Sequence, residues 1–388
     1  METRPRLVYV VTHPVTADVL LHGQLAFMQA RGFDVTVVTS PGPELERVRA
    51  REGVRAVAVP MERPIRPLRD VASLAALTKA LRSLRPHIVN ASTPKAGLLG
   101  MIAARAIGVP IRIYLLRGLR LETTTGNLRR ILSATERIAS ACADEVVCNS
   151  ASLLEVAVRE GHIPRAKASV IGLGASNGID PARWVKTPER MAEGQARARA
   201  AGIADDEQVI GFVGRFDPDK GIVDLVNAFE RVRARRPKTR LMLVGGGLAG
   251  DLDPAVVRRV EGAPGVVAMG KTNDLAPLYA RMDVLAFPSY REGFPNVPLE
   301  AASAEVPAVG YRSTGVVDAI ADGETGLIVD QRDIAGLATS LERYLVDDTL
   351  RAEHGRAARA RAIVEFSHDA VWRAWEAHYR ARLSRAGI

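Results

Sequence analysis

The stretch Val209-Ile210-Gly211-Phe212-Val213-Gly214-Arg215-Phe216-Asp217-Pro218-Asp219-Lys220-Gly221 runs from a short apolar segment through a polar loop. Beyond it, Ile222, Leu225, Val226 and Phe229 recur at helical spacing. A strand that ends in glycine and re-enters as a helix is the opening of a βαβ unit. Working outward, residues 240–244, 266–269, 284–287, 306–309 and 327–329 read as further strands, with helices at 221–235, 297–304 and 333–345. Upstream, residues 7–12, 35–39, 54–59, 88–91, 111–115 and 145–149 read as strands. Helical patterns at 18–31, 71–84, 95–107 and 128–143 alternate with them. The pattern breaks across glycine-rich 170–178 and the charged, Ala-rich run 186–206. The expectation is α/β: two domains, each a parallel sheet covered on both faces. In such sheets ligands bind at the carboxyl ends of the strands, and two sheets facing each other make a cleft.

The composition agrees. A chain of 388 residues suits two or three domains, and 47% hydrophobic with 25% charged residues excludes a disordered, collagen-like or disulfide-stapled chain. The net charge of +9 calls for an anionic partner: nucleic acid, an anionic membrane face or a phosphorylated substrate. There are 46 Arg and only seven Lys, so a Lys in a loop stands out. Cys142 and Cys148 have neither a Cys-x-x-Cys nor a zinc spacing and read as two buried free thiols in a reducing cytosol. No signal peptide and no apolar run of membrane-spanning length is visible. This implies a cytoplasmic protein. Leu128, Ile131, Leu132, Ile138 and Ala139 make one helical face with Arg129, Arg130 and Arg137 off it, which suits either packing on a sheet or peripheral contact at an inner membrane face. In the tail, Trp372, Trp375 and Tyr379 share one helix face.

Three motif matches carry little chemistry. Gly245-x-Gly247-x-x-Gly250 follows a strand, but Val266-Val267-Ala268-Met269-Gly270 lacks the acidic residue that ribose recognition by a nicotinamide site needs. Gly174-Ala175-Ser176-Asn177-Gly178 fits a nucleophile elbow in letters only, because Asn177-Gly178 reads as a turn. Asp217-Pro218-Asp219 offers two carboxylates without further metal ligands.

Two motifs carry more. Arg215 and Lys220 stand five apart on a strand-to-helix loop with Gly214 and Gly221. A planar fork and a point charge at a helix start suit a diphosphate, and without an anion they oppose the helix dipole. The second is Ser289-Tyr290-Arg291-Glu292-Gly293-Phe294-Pro295-Asn296-Val297-Pro298-Leu299-Glu300. Pro298 fits the first turn of a helix starting near Asn296, which leaves Glu292 in the loop and Glu300 about one turn inside. The two carboxylates then reach opposite ends of one ligand. The N–H groups of Phe294, Asn296 and Val297 are free to meet its hydroxyls or phosphate.

Gly-Arg…Lys-Gly followed by Glu-Gly-Phe-Pro-x-x-x-x-Glu resembles the donor domain of retaining glycosyltransferase family 4, of GT-B fold. The resemblance covers nearly the whole chain. The first half is similar to a subgroup making bacterial surface and lipid-linked glycans, through Met61-Glu62-Arg63-Pro64-Ile65-Arg66-Pro67, Thr93-Pro94-Lys95-Ala96-Gly97, Arg117-Gly118-Leu119-Arg120-Leu121-Glu122 and Ser176-Asn177-Gly178-Ile179-Asp180. The resemblance implies two Rossmann-like domains facing a cleft. Residues 1–180 would bind the acceptor and 181–365 the nucleotide sugar, with a helix in 366–388 crossing back to the first domain.

The resemblance also implies residue roles. Arg215 and Lys220 would hold the donor diphosphate and stabilise the leaving nucleotide. Glu292 would meet donor-sugar hydroxyls in a pocket shaped by Gly293, Phe294, Pro295 and Asn296, with Val297 beside it. Glu300 would bind the ribose. Lys271 and Thr272 would lie in the base-binding loop, and Gly23 and Gly214 would let backbone approach the phosphates. No nucleophile, metal or cofactor is required, the UDP-sugar being a co-substrate, most simply UDP–N-acetylhexosamine.

Two departures stand out. Many family members carry His-Gly where this chain has Arg117-Gly118, and the family's usual His near Thr-Pro-Lys is absent. With Glu122 on the same side, Lys95 and Arg117 imply an anionic or lipid-linked acceptor. Equally, Lys95 simply starts a helix and Arg117 is a solvated loop residue. A soluble natural-product or nucleoside acceptor fits the same sequence. The rivals are a UDP-sugar epimerase of GT-B-like fold, which needs acid/base side chains the donor motifs lack, and a basic nucleic-acid-binding protein. The latter predicts interleaved aromatics, which at 5% are too few, so no specific nucleic acid is expected.

Overall fold

The computed structural model describes residues 4–62, 64–246 and 252–388. Arg63 of the 61–67 motif, and Gly247 and Gly250 of the glycine triplet, lie outside the described residues. The chain forms two compact units, one of Met1–Gly178 with His368–Ile388 and one of Ile179–Ser367.

The first unit contains β1 (Arg6–Val10), β2 (Asp34–Thr39), β3 (Arg55–Ala58), β4 (Ile88–Ser92), β5 (Ile111–Leu116), β6 (Glu145–Cys148) and β7 (Ala168–Ser169). They form one parallel sheet in the order β3-β2-β1-β4-β5-β6-β7. Every residue of β4 is buried, as expected of a central parallel strand made of apolar and small residues. The second unit contains β8 (Gln208–Arg215), β9 (Thr239–Gly246), β10 (Val266–Gly270), β11 (Val284–Phe287), β12 (Ala308–Tyr311) and β13 (Gly326–Val329). Its parallel order is β10-β9-β8-β11-β12-β13. In each unit the chain winds outward one way and then returns past its first strand. This puts a topological switch point between β1 and β4, and another between β8 and β11. Both units are Rossmann-like.

Several elements differ from the sequence expectation. The helix read over 18–31 is two helices, Pro14–Leu20 and Gln24–Ala30. Gly23 between them is left-handed at φ 75°, and a Cβ there would sit 2.5 Å from the Trp372 ring. The buried Glu52 carboxylate accepts from the N–H groups of Gly23 (2.9 Å) and Ala26 (3.1 Å), fixing the break. The run 186–206 contains the helix Pro188–Ala200, started by Thr187, whose hydroxyl accepts from Arg190 N–H at 3.3 Å. Helices Pro43–Glu52 and Ala151–Arg159 and the two-residue β7 were not foreseen. Cys148 is buried, and burial pushes its thiol up to about 12. Cys142 corrects the expectation of two buried thiols: it ends the helix Gly126–Cys142 and is half-exposed.

The helix His368–Arg385 packs on the sheet of the first unit. Trp375 and Tyr379 are buried, and Tyr379 meets Phe33 and Tyr9 edge-on. The Tyr379 hydroxyl accepts from Asn90 Nδ2 (2.6 Å) and donates to Tyr9 (3.3 Å). Trp372 lies against Phe27 and donates from Nε1 to Asn177 at 2.7 Å. Among the described residues no helix is long and apolar enough to cross a membrane. Because Trp375 anchors this helix through packing alone, Trp375→Ala is expected to cost about 3–5 kcal/mol in denaturant unfolding. A loss below about 1 kcal/mol would mean the helix does not contribute to the core.

Candidate functional site

In the second unit, β8 and β11 are neighbours, so the loops leaving their carboxyl ends meet. The first loop makes a 3-10 turn at Pro218–Lys220, capped by Asp217, whose carboxylate accepts from Asp219 N–H at 3.0 Å. Gly221 then turns the chain at φ 64° into the helix Ile222–Arg235. A Cβ on Gly221 would lie 2.1 Å from the Pro288 carbonyl of the other loop, so only glycine lets the two loops touch. Across this contact Lys220 Nζ pairs with Glu292 Oε1. Ser289 donates to the same oxygen at 2.8 Å. Lys220 also stands 5.7 Å from the Phe287 ring centre. The Lys220 and Glu292 side chains are 20% and 16% exposed, whereas Arg215 is 55% exposed and pairs with Asp217 at 3.1 Å.

More contacts lock the loops. Tyr290 N–H donates to the Asp219 carbonyl at 2.8 Å, and Arg291 pairs with the Asp219 carboxylate. Tyr290 and Tyr311 both donate to Asp224 in the first turn of the following helix, at 2.7 and 2.8 Å. Glu292 N–H donates to the Thr314 carbonyl at 2.9 Å. The two aspartates of Asp217-Pro218-Asp219 are thus each engaged by an arginine.

The helix Asn296–Ser303 follows, with Pro295 extended ahead of it and Val297 half-buried in its first turn. Glu292 lies in the preceding loop and Glu300 inside the helix. Tyr279 donates to Glu300 at 2.8 Å, and burial raises the Glu300 carboxyl above its ordinary value, with Tyr279 and Arg183 opposing. Phe294 packs on Phe366 with ring centres 5.0 Å apart. Gly293 is half-buried, and its carbonyl lies 2.8 Å from where a Cβ on Gly315 would stand. Gly214 pairs in register with Gly245, where a Cβ would come 2.0 Å from the Gly214 carbonyl. That glycine therefore serves strand contact. Lys271 is exposed after left-handed Gly270, and the Thr272 hydroxyl accepts from Asp274 N–H at 3.1 Å.

In the first unit the polar residues are more committed than the sequence suggests. Lys95, in the first turn of Pro94–Ala106, is bound to the Asp70 carboxylate and the Pro64 carbonyl. Arg117 follows β5. Its Nη1 donates to the Ser176 hydroxyl, while Nε and Nη2 are buried without a hydrogen-bond partner among the described residues. Burial lowers its pKa to about 10, so it is not a solvated loop residue. Glu122 sits in the 3-10 turn Arg120–Thr123. Gly23 spends its N–H on Glu52. The Gly174–Gly178 stretch is no nucleophile elbow: Ser176 does not lead directly into an α-helix, its carbonyl accepts from Gln24, and Asn177 bonds to the His22 carbonyl and Trp372.

Sequence reasoning missed the tyrosines. Tyr290 was quoted without a role and Tyr279 and Tyr311 went unmarked, yet their hydroxyls position Asp224 and Glu300. It also missed Glu136, whose carboxylate accepts from Tyr114 at 2.8 Å and is raised by burial to about 7. A Glu on an otherwise core-facing helix position was the available signal.

Residues 207–347 match the family described as glycosyl transferases group 1, and residues 18–174 match the glycosyl transferase 4-like domain. The chain is 34% identical over 368 residues to the capsular polysaccharide biosynthesis glycosyltransferase CapM of Staphylococcus aureus, covering 95% of each. It is 27% identical to the UDP-Gal:alpha-D-GlcNAc-diphosphoundecaprenol alpha-1,3-galactosyltransferase of Escherichia coli, over 77% of each. In fold it is similar to HepE of Anabaena, solved with UDP and glucose, at a TM-score of 0.78 and 19% identity, covering 96% of this chain and 99% of that one. The fold is GT-B, and the chain belongs to the group 1 glycosyltransferases with a 4-like amino-terminal domain.

Glu136 gives a pH signature. Its folded-state pKa of about 7 stands above the ordinary value of 4.5, so the folded chain holds a proton that the unfolded chain releases. The associated stability is present below pH 4.5 and lost as pH rises through 7. Glu136→Gln is therefore expected to gain on wild type between pH 5 and 8.5, on the order of 2–3 kcal/mol in denaturant unfolding. A pH-independent difference would contradict the buried-carboxyl assignment.

Proposed function

We propose that this glycosyltransferase moves an N-acetylhexosamine from UDP to a lipid-linked or otherwise phosphorylated glycan, with retention and without a metal. The observation that carries the reading is the pairing of Lys220 with Glu292 at the carboxyl ends of β8 and β11, beside exposed Arg215 and with Glu300 one turn into the next helix. In this reading Arg215 and Lys220 stabilise the negative charge that develops on the diphosphate as the C1–O bond breaks. Glu292 bonds sugar hydroxyls and, through Lys220, couples sugar position to phosphate position. Glu300, fixed by Tyr279, takes the ribose hydroxyls, and Lys271 and Thr272 border the base. The acceptor oxygen attacks C1 from the face the diphosphate leaves. Its proton passes to the departing phosphate oxygen, so atoms and charge balance without a protein nucleophile.

The buried, unpartnered donors of Arg117 favour an anion on the acceptor side, because leaving guanidinium N–H groups desolvated and unpaired is costly. The printed name of the Escherichia coli relative, with a UDP-sugar donor and a diphosphoundecaprenol-linked acceptor, supports the same assignment. An acceptor of that kind places the enzyme in the cytoplasm, peripheral at the inner membrane face.

Thermal unfolding with UDP-, GDP-, ADP- and dTDP-sugars tests this. A ligand at 100 times its Kd adds about 2.7 kcal/mol, several degrees. The expected result is stabilisation by one UDP-sugar, unchanged by EDTA and lost in Arg215→Ala/Lys220→Ala. Stabilisation that disappears with EDTA, or that survives the double substitution, would overturn it.

A further inference from the structure

We propose that a groove in the first unit, between residues 64–71 and the helix Gly126–Cys142, holds the hydrocarbon chain of the acceptor, with the phosphate it carries at Arg120. This rests on the transferase reading above and adds the chemistry of the acceptor and the residues that take it. The groove encloses about 620 Å³, within the range of small-molecule sites. It opens beside the switch point of the first sheet, where the Thr12 and Thr93 hydroxyls lie 2.6 Å apart at its polar end. Much of its wall is apolar, from Leu98, Leu121, Leu128, Ile131 and Leu132 with Ile65 opposite.

Three of those side chains belong to residues left substantially open to water: Leu128 at 40%, Ile131 at 49% and Ile65 at 52% exposure. The helix turn that supplies Asp70 to the groove also exposes Leu68 and Val71, so the apolar strip continues outward. Exposed apolar side chains lining one cavity mark a ligand more readily than scattered ones do. The charged side chains among the described lining residues are Asp70, Lys95, Arg120 and Glu136, the last engaged by the Tyr114 hydroxyl. Lys95 is neutralised by Asp70, whereas Arg120 is exposed at the groove with no carboxylate partner among the described residues. The stretch of wall made by Leu128, Ile131 and Leu132 offers a glycan no polar side chain. A bilayer surface would need no enclosed space running back to the strand ends. A chain-bearing phosphate uses both the apolar wall and the Arg120 cation.

The test compares an N-acetylhexosamine diphosphate carrying a farnesyl chain with the same headgroup carrying a methyl group. Wild type is expected to show a KM at least about tenfold lower for the farnesyl acceptor. Ile131→Glu, at a position exposed enough to leave folding intact, is expected to remove that advantage while leaving kcat, the methyl acceptor and UDP-sugar stabilisation unchanged. Equal KM values in wild type, or an equal loss on both acceptors, would overturn the proposal. So would a variant that keeps the farnesyl KM and loses only binding to phosphatidylglycerol vesicles, which would make the groove a bilayer contact. If wild type transfers to neither acceptor, the transferase reading has failed, and calorimetry with farnesyl diphosphate still decides the groove: binding lost in Ile131→Glu supports it, and equal or absent binding overturns it.

Discussion

Lys220 and Glu292 are 72 residues apart in the chain and form one ion pair. They meet because a doubly wound sheet places its first strand, β8, beside its fourth, β11, and sends the loops that follow to the same edge. The contacts between these two loops depend on that adjacency. The close approach needs Gly221, where any side chain would strike the Pro288 carbonyl. It is braced by the Tyr290 and Tyr311 hydroxyls on Asp224 and by Arg291 on Asp219. These contacts tie the two loops together, and preorganised loops lower the ordering cost of binding.

The electrostatics divide along the same line. Lys220 and Glu292, both mostly shielded, compensate each other, as two charges withdrawn from water must. Arg215 remains largely in solvent, where it pairs with Asp217. In the proposed mechanism a sugar hydroxyl that draws on Glu292 changes what Lys220 can offer the phosphate, so the two recognitions share one interaction. The first unit uses the opposite arrangement. Lys95 is committed to Asp70, and Arg117 keeps Nε and Nη2 buried with no hydrogen-bond partner among the described residues.

What was legible in the sequence follows the range of the forces involved. Strands such as β8 and β11 were visible because β-branched and apolar runs bounded by glycine or proline are local signals, and the shared face of Trp372, Trp375 and Tyr379 because helical spacing is local too. The break at Gly23 was not, because its causes, Glu52 and Trp372, come from other elements of the chain. The motif around Lys220 and the motif around Glu292 were each readable, but their contact was not, since no spacing encodes strand order. For the same reason Lys95 read as a free cation until Asp70 was placed beside it. Tyr279 and Tyr311 gave no signal because their chemistry lies only in the carboxylates they happen to face.

The most direct measurement is a double-mutant cycle on UDP-sugar binding by calorimetry, using Lys220→Ala, Glu292→Ala and the pair. If the ion pair organises the donor site, the two losses are non-additive, with a coupling of about 1–3 kcal/mol. Losses that add to within about 0.5 kcal/mol would contradict the account, because the two residues would then be acting on the ligand independently.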